Sequence, residues 1–429
     1  MHMTLHQFRK IIMTKIHYII ILLFTINQVV SQNLNKEKVF GNSIILKSDI
    51  LQEERDIQIF LPTNYGENSK KYPVLYVIDA QRYFLNGIAF QQNLTWQEIA
   101  PEFIVVGINT DAVKRRQLFY EESTKFIQFL EEELIPKINT TYKTLNERIY
   151  FGWEMAAGLG IEIIANKPSL FNGFLLASPT HISRDRLEKV SSMLKNNISH
   201  NLKLYTALGT VENWATEPMA SLDSVFQKHP RKHIQWKYNL SDKENHYTTP
   251  LTTINEGLKL FFSDYGPIRF YSINEFLDFG GIERLKKHYQ VRGEKYQISE
   301  EIHPDTKHYL FLQALKENNF IIFEELMTEI DGKNFIKNYY KQARWFNSFS
   351  SFYVDYNKLK AGFEILELGL DKFPDASMLH FAKGNYCKKI GNIQEAKEWY
   401  KKAIEIAKKN NESDLEKYNT ALFLLQQKS

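Results

Sequence analysis

The sequence predicts an α/β domain followed by an all-α domain, and two observations carry this prediction. Over residues 36–265, short β-rich runs alternate with amphipathic stretches, and several runs are continuously apolar, as in strands buried on both faces of a sheet. After Gly266-Pro267 the strand signals stop, and segments rich in Lys, Glu, Leu and aromatic residues follow with helical periodicity. We therefore expect a doubly wound, mostly parallel sheet over residues 36–265 and helices over residues 270–429.

The composition is that of a globular protein and excludes several function classes. Of the 429 residues, 43% are hydrophobic and 24% are charged, and 54 Lys+Arg against 50 Asp+Glu leave a formal net charge of only +4. This charge argues against a nucleic-acid partner. The single Cys387 excludes an internal disulfide and a thiolate cluster. The sequence has no P-loop, no Gly-x-Gly-x-x-Gly after a strand and no His-Glu-x-x-His, so it predicts no cofactor and no metal.

The first 31 residues have the pattern of a secretory signal peptide. A short basic flank precedes an apolar run over residues 18–26, and Ser31 offers a small residue for cleavage. A membrane anchor is the alternative, but Asn27 ends the run well short of the roughly 20 apolar residues that span a bilayer. We therefore expect export to the periplasm or the medium, with no stable membrane span after cleavage.

Seven strands and several helices are predicted in the first domain. The strands are expected at residues 56–61, 73–79, 103–109, 148–152, 172–177, 202–208 and 233–240. Helices are expected between them, among others at residues 123–138, 155–166 and 248–262. The opening strands are expected to be antiparallel, and in such a sheet ligands bind at the carboxyl ends of the strands.

The second domain contains a repeat at about residues 347–409. Small and aromatic residues recur with the spacing of a helix-turn-helix unit of about 34 residues. They are Gly384, Ala396, Tyr400 and Ala403, and one period earlier Tyr353, Gly362, Gly369 and Pro374. The segment resembles two tetratricopeptide repeats (TPR), closed by a helix over residues 413–427. Such repeats serve either as structural packing platforms or as surfaces for a protein partner, and both roles stay open.

The segment at residues 148–158 predicts a strand that runs through a sharp turn into a helix. Its sequence is RIYFGWEMAAG, and the residues on either side of the turn, Gly152 and Ala156, are small. In the Gly-x-Ser-x-Gly nucleophile elbow, strand and helix pass close together and the central residue is held in a strained turn. Glu154 occupies that central position here. The elbow pattern alone is a weak signal, because strand-turn-helix units with glycine are common.

Further segments carry a resemblance to a known family. They are RDIQIFLP at residues 55–62, KYPVLYVID at 71–79, IVVGIN at 104–109, ELIP at 133–136, NKPSLFNG at 166–173 and ASP at 177–179. Over residues 36–265 the chain resembles the Putative esterase family, which includes enterochelin esterases and esterase D. Members with appended tetratricopeptide-like helices are familiar. The resemblance implies an α/β-hydrolase fold and carboxylic ester hydrolysis.

The resemblance also implies the positions of an acid and a histidine. Glu212 follows the strand at residues 202–208, where such enzymes place the acid, and His246 lies in the loop before the last helix, where they place the catalytic histidine. The chain order Glu154, Glu212, His246 is the nucleophile, acid, base order of this fold. Two of the three roles are filled by suitable residue types, and the nucleophile is not.

Glu154 at the nucleophile position leaves three hypotheses open. In the first, Glu154 forms an ion pair with His246 in a pocket that binds an ester-like ligand without turnover. In the second, Glu154 is a carboxylate nucleophile, although its extra methylene relative to Asp displaces the attacking oxygens. In the third, Glu154 or His246 acts as a general base on water. Because a carboxylate is a weak nucleophile toward esters, ordinary esterase activity should be very low.

The resemblance also suggests supporting residues around the site. Backbone amides at Ala80, Gln81 and Met155 are the expected oxyanion donors. The residues expected to line the pocket lie near predicted strand ends, and they are Tyr83, Phe84, Trp153, Ser178 and Trp214. The aromatic residues among them could equally fill the core, since aromatics make up 14% of the chain. Ser178 is interpreted as lining the site or forming a turn, and His181, His229 and His233 as structural.

The sequence therefore predicts an exported α/β-hydrolase of the esterase type that binds a small ester-like molecule and has weakened or lost ester hydrolysis. The alternatives are a non-catalytic module that binds a ligand or a protein, and a hydrolase that uses Glu154 as nucleophile or base.

Overall fold

The computed structural model describes residues 41–67, 69–196 and 200–427. The predicted signal peptide lies outside these residues. None of the described helices combines the length and the apolar character needed to cross a membrane. The contacts divide the chain into two compact units, one holding most of the residues up to Leu258 and the other most of those from Lys259 onward.

The first unit is built on one sheet of eight strands in the order β1-β2-β4-β3-β5-β6-β7-β8. The strands are β1 (Asn42–Ser48), β2 (Glu53–Phe60), β3 (Tyr72–Ile78), β4 (Ile104–Ile108), β5 (Thr144–Trp153), β6 (Gly173–Ala177), β7 (Leu202–Gly209) and β8 (Ile234–Ser241). β1 and β2 are antiparallel to each other, and β2 is antiparallel to β4. The pairs β3-β4, β5-β6, β6-β7 and β7-β8 are parallel. The sheet is thus mostly parallel with an antiparallel opening, as predicted.

Helices connect the strands of this sheet. They are α1 (Ala80–Trp96), α2 (Ser123–Gln128), α3 (Ile135–Thr141), α4 (Met155–Asn166), α5 (Arg184–Lys195), α6 (Asn213–Lys228) and α7 (Thr249–Phe261). Two π-helical stretches, Gln117–Glu121 and Phe129–Leu134, flank α2, so the helix predicted over residues 123–138 contains a π-helical turn.

The core of the first unit lies at the centre of the sheet. Every residue of β3, β4 and β6 is buried. Their sequences YPVLYVI, IVVGI and GFLLA are continuous apolar runs because helices cover both faces of the sheet there. At the edge, β8 alternates between half-buried and exposed residues. The turns that follow the carboxyl ends of these buried strands are therefore anchored in the core.

The second unit consists of helices. They are α8 (Ile273–Phe279), α9 (Gly281–Tyr296), α10 (Pro304–Lys316), α11 (Phe320–Glu329), α12 (Gly332–Tyr339), α13 (Ala343–Asp355), α14 (Leu359–Lys372), α15 (Ser377–Lys389), α16 (Ile393–Asn410) and α17 (Leu415–Gln427). A largely aromatic and aliphatic cluster, including Phe311, Phe323 and Phe349, forms its core. The predicted fold class, an α/β domain followed by an all-helical part, is confirmed.

The small residues singled out in the helical repeat lie at close helix contacts. A Cβ atom on Gly384 of α15 would lie 2.4 Å from the ring of Tyr400 on α16, and one on Gly362 of α14 would lie 2.9 Å from a backbone oxygen of α13. Glycine therefore lets each of these helix pairs approach closely.

Candidate functional site

The turn between β5 and α4 is a tight strand-to-helix elbow. Glu154, between the two elements, has φ 57° and ψ −116°, a conformation that residues with a side chain rarely adopt. A Cβ atom on Gly152 would lie 2.6 Å from the backbone of Ala156, so only glycine fits there. The elbow holds the Glu154 side chain, which is 26% exposed, at the carboxyl end of β5.

The Glu154 carboxylate forms an ion pair with Arg115. Nη1 of Arg115 donates to Oε2 of Glu154 at 2.5 Å. The same guanidinium donates to the buried Asp79 carboxylate, with Nη2 at 2.9 Å from Oδ2, and to the carbonyl oxygen of Trp153 at 3.3 Å. The Arg115 side chain is only 8% exposed. Burial opposes its charge, but Asp79 and Glu154 outweigh burial and raise the pKa of Arg115.

This arrangement corrects the expected ion pair between Glu154 and His246. Within the part of the chain that the structure describes, Glu154 pairs with Arg115, and His246 pairs with Glu212. The reason is the buried charge of Asp79, which draws Arg115 under the elbow and leaves one of its nitrogens within reach of Glu154. The site therefore contains two separate charge pairs.

Arg115 is the site residue that sequence reasoning missed. It stands between Lys114 and Arg116, whose side chains are both exposed and pair with other surface carboxylates. All three are basic residues, so residue type does not show which of them is buried. The signal that could have found Arg115 is its position in the segment after β4, at the same edge of the sheet as the ends of β3 and β5, which carry Asp79 and Glu154.

The acid and the histidine of the predicted triad meet at hydrogen-bond distance. Nδ1 of His246 lies 2.7 Å from Oε2 of Glu212. A carboxylate accepts hydrogen bonds, so this contact suits the tautomer with hydrogen on Nδ1, which directs Nε2 away from Glu212. The indole Nε1 of Trp153 donates to the His246 carbonyl oxygen at 2.8 Å, which ties the histidine loop to the elbow strand.

Glu212 is held in place from inside the protein. Its side chain is fully buried, and its Oε1 accepts from the Gly209 amide at 2.9 Å and from the Ser178 hydroxyl at 2.8 Å. Ser178 is itself fully buried and lies 2.6 Å from the Thr249 hydroxyl. Ser178, expected to line the site or form a turn, has its hydroxyl directed inward to satisfy the buried acid, and its φ of 44° fits a turn.

Aromatic rings surround His246. The ring centroids of Trp153, Trp214 and Tyr247 lie 4.8, 5.6 and 5.4 Å from that of His246. Trp214 and Tyr247 are 60% and 74% exposed, whereas Trp153 is buried. The Trp153 ring also packs against Tyr83, with 5.8 Å between the ring centroids. Exposed aromatics next to the histidine give the site an apolar rim.

Two of the residues expected in the pocket are buried. Tyr83 is 9% exposed and packs edge-on against Phe151, and burial raises its pKa to about 12. Phe84 lines a cavity of about 340 Å³ together with Ala80 and Gln81, two of the expected oxyanion donors.

The expected oxyanion donors begin two helices at the same edge of the sheet. Ala80 is the first residue of α1 after β3, and Met155 is the first residue of α4 after β5. β3 and β5 are neighbours in the sheet, and the first amides of a helix have no partner within it. The Gln81 side chain fixes the first of these turns by accepting from the Thr110 amide and donating to its carbonyl oxygen.

A small cavity lies next to the elbow and the histidine. It has a volume of about 160 Å³ and is lined by Pro179, Thr180, His181, Ile182, Trp214, Ala215 and Pro218. The Thr180 amide donates to the Glu154 carbonyl oxygen at 3.2 Å. Burial lowers the pKa of His181, whose ring packs 4.8 Å from that of Tyr120. His181, expected to be structural, is thus part of this cavity wall.

Among the residues that the structure describes, no group of three or more His, Cys, Asp or Glu side chains is placed to hold a metal ion.

Comparison with known proteins relates residues 48–251 to a known family. The model of the family described as Putative esterase matches residues 48–251. No protein with a curated description matches the chain. An uncharacterised protein from Capnocytophaga ochracea has a similar structure, with 18% identity, a TM-score of 0.56, and coverage of 90% of this chain and 99% of that one. An IroE-like serine hydrolase from Shewanella oneidensis, also 18% identical, aligns with a TM-score of 0.51 over 68% of this chain and 99% of its own. These two structures share the fold of this chain, and residues 48–251 are similar to the Putative esterase family.

Proposed function

We propose that the first unit is a hydrolase-fold domain that binds a small ester-like molecule and has lost most or all ester hydrolysis. The observation that carries this proposal is the charge-assisted hydrogen bond of 2.5 Å from Arg115 to Glu154 at the elbow. It engages an oxygen of the residue that would have to attack the ester.

The chemistry of the elbow supports the proposal. In a serine hydrolase the histidine removes a proton from the nucleophile, and water later releases the acyl-enzyme. The Glu154 oxygen that accepts from Arg115 has no proton to give to a histidine, and attack of a carboxylate on an ester would form a mixed anhydride. The arginine also draws electron density from the carboxylate, which lowers its nucleophilicity further. Removing the serine from a comparable triad costs roughly a million-fold in turnover.

The carboxylate-nucleophile hypothesis has less support. An attacking carboxylate needs an oxygen free to approach carbon in line with the leaving group. Oε2 of Glu154 is held by Arg115, and the extra methylene of Glu moves both oxygens from the point where a shorter side chain would attack.

A second candidate function has one observation in its favour. The His246–Glu212 pair has the geometry of a working acid and base, with 2.7 Å between Nδ1 and Oε2 and a fully buried, hydrogen-bonded acid. Such a histidine can take a proton from water through Nε2, and the water would then attack a bound ester directly. Hydrolysis by this route would be slow and independent of Glu154.

The two functions are separated by four forms of the mature protein: wild type, Glu154→Ser, Glu154→Ala and His246→Ala. Each is assayed with p-nitrophenyl esters from acetate to octanoate and with siderophore-type lactones. We expect wild type to match buffer and Glu154→Ser to gain at least about a thousand-fold over Glu154→Ala, since the remaining machinery is in place.

A measurable wild-type rate that Glu154→Ala leaves unchanged and His246→Ala abolishes would establish the water mechanism instead. If wild type hydrolyses esters and Glu154→Ala removes that rate, Glu154 is the nucleophile and the proposal is wrong.

We also propose that the protein is exported, on the support of the signal-peptide pattern in residues 1–31. Expression of the full chain and N-terminal sequencing of the exported fraction tests this, with a mature start near Gln32 expected. For the helical unit, the resemblance of residues 347–409 to tetratricopeptide repeats supports a packing platform, with a protein partner as the alternative.

A further inference from the structure

The cavity next to the elbow touches both halves of the candidate site. Thr180, in its wall, is hydrogen-bonded to the backbone of Glu154, and the ring of Trp214, in the opposite wall, lies 5.6 Å from the ring of His246. A molecule whose reacting carbon lies between Glu154 and His246 would therefore have one of its substituents next to this cavity.

The lining of the cavity is suited to an uncharged, apolar group. Pro179, Ile182, Ala215 and Pro218 contribute aliphatic surface, and Trp214 contributes one face of an indole. Among the described residues that line this cavity, none carries a permanent charge. The lining therefore offers no charged partner for a carboxylate or a phosphate. His181 is the titratable group in the wall, and burial lowers its pKa, which favours the neutral ring near pH 7.

The size of the cavity limits what can enter. Its volume is about 160 Å³. An apolar protein cavity of about 150 Å³ holds one benzene molecule, so the walls can enclose a chain of roughly four to six carbons, and the end of a longer chain would extend beyond them.

We propose that this cavity is the acyl subsite of the protein and that it selects ligands with a short, unbranched acyl group of about four to six carbons. The proposal rests on the proposed function, because it names the ligand class of the same site. Ala215, 3% exposed on the first turn of α6, and Trp214, 60% exposed at the rim, set the depth and the outer wall of the subsite.

The first test measures chain-length preference in the Glu154→Ser protein with p-nitrophenyl acetate, butanoate, hexanoate and octanoate. Each buried CH₂ is expected to raise kcat/KM about fourfold up to hexanoate, followed by a fall at octanoate. Ala215→Leu in the same background fills the subsite, so the ratio of butanoate to acetate should fall at least about tenfold. Ala220→Leu is the matched control, because Ala220 is exposed on the same helix.

A second variant covers the case in which Ala215→Leu fails to fold. Trp214→Ala removes the exposed outer wall and should raise the rate with octanoate relative to hexanoate several-fold. Trp96→Ala, at a Trp that is 83% exposed on α1, is its control. An active Glu154→Ser protein with the same rate for all four esters, or with Ala215→Leu equal to Ala220→Leu, would overturn the acyl subsite while leaving the proposed function intact.

A binding measurement separates failure of the subsite from failure of the proposed function. Saturation-transfer NMR on the wild-type protein with ethyl butanoate and ethyl octanoate does not depend on a nucleophile. Transfer to ethyl butanoate that Ala215→Leu removes and Ala220→Leu retains would support the subsite even if Glu154→Ser is inactive. No transfer to either ester, together with an inactive Glu154→Ser protein, would contradict both.

Discussion

The elbow and the acid–histidine side of the site both lie at the carboxyl ends of strands, but their acidic side chains have different partners. Glu212 and His246 follow β7 and β8, and their pair is supported by an amide, a buried hydroxyl and a Trp indole. Glu154 follows β5 in an equally fixed turn, but its partner is Arg115 rather than the histidine. The two glutamates thus belong to separate charge pairs, one with a histidine and the other with an arginine.

The sharpest test of this comparison is whether the histidine side still works. In the Glu154→Ser background, His246→Ala should lower the gained esterase rate about a thousand-fold or more, because the serine then lacks its base. Steady-state hydrolysis of p-nitrophenyl butanoate measures this. His233→Ala is the control, since His233 is exposed on the protein surface. Equal rates in the two variants would mean that His246 takes no part.

The second prediction concerns the buried Arg115, which pairs with Asp79 and Glu154. Arg115→Met leaves the fully buried Asp79 without its cation and should destabilise the protein by about 3–5 kcal/mol. Urea denaturation followed by far-UV circular dichroism measures the free energy of unfolding. Arg116→Met, at a side chain that is 63% exposed, should change it by less than about 0.5 kcal/mol. A loss below about 1 kcal/mol for Arg115→Met would show that the buried pair is not needed for the fold.

The third prediction tests the close approach at the elbow itself. Gly152→Ala places a methyl group 2.6 Å from the backbone of Ala156 and should cost about 1–3 kcal/mol through overpacking. Gly66→Ala is the matched control, because a Cβ atom there meets nothing within 4 Å. Thermal unfolding of the two variants is compared. An unchanged midpoint for Gly152→Ala would contradict the tight strand-to-helix contact.

The smallest expected effect is a pH dependence from His181, beside the elbow. Burial lowers its pKa in the folded chain, so the unfolded chain binds more protons and stability falls as pH drops below about 6.5. In His181→Gln, the part of the stability loss that comes from protonation of His181 should disappear. The free energy of unfolding is compared at pH 7.5 and 5.5 for wild type, His181→Gln and the exposed control His233→Gln. Identical pH dependence in all three would refute the contribution.

Much of the fold was predictable because burial leaves a clear sequence signal. The strands β3, β4 and β6 are continuous apolar runs, since both their faces are covered. β1 was missed because it is an edge strand with mostly exposed or half-buried residues. Its sequence NSIILKS therefore lacks a pattern that separates it from a loop.

The site was predictable where a residue follows a strand end in the chain and not where it is recruited from a loop. Glu154 was indicated by the elbow pattern, and Glu212 and His246 by the resemblance to the esterase family and their places after two strands. Arg115 could not be distinguished from Lys114 and Arg116, because only the folded chain shows which of three neighbouring cations is buried. The inward direction of the Ser178 hydroxyl could not be predicted, because residue type does not reveal which way a hydroxyl points.

Arg115 joins two bends of the main chain that are far apart in sequence. Asp79 and Glu154 both have positive φ, at 58° and 57°, and both carboxylates are hydrogen-bonded to the same guanidinium. The turns after β3 and β5 are therefore joined through one buried side chain. A Glu154→Ser protein would keep this cation beside the new hydroxyl, so its rate of hydrolysis would depend on how the donor freed from Glu154 is used.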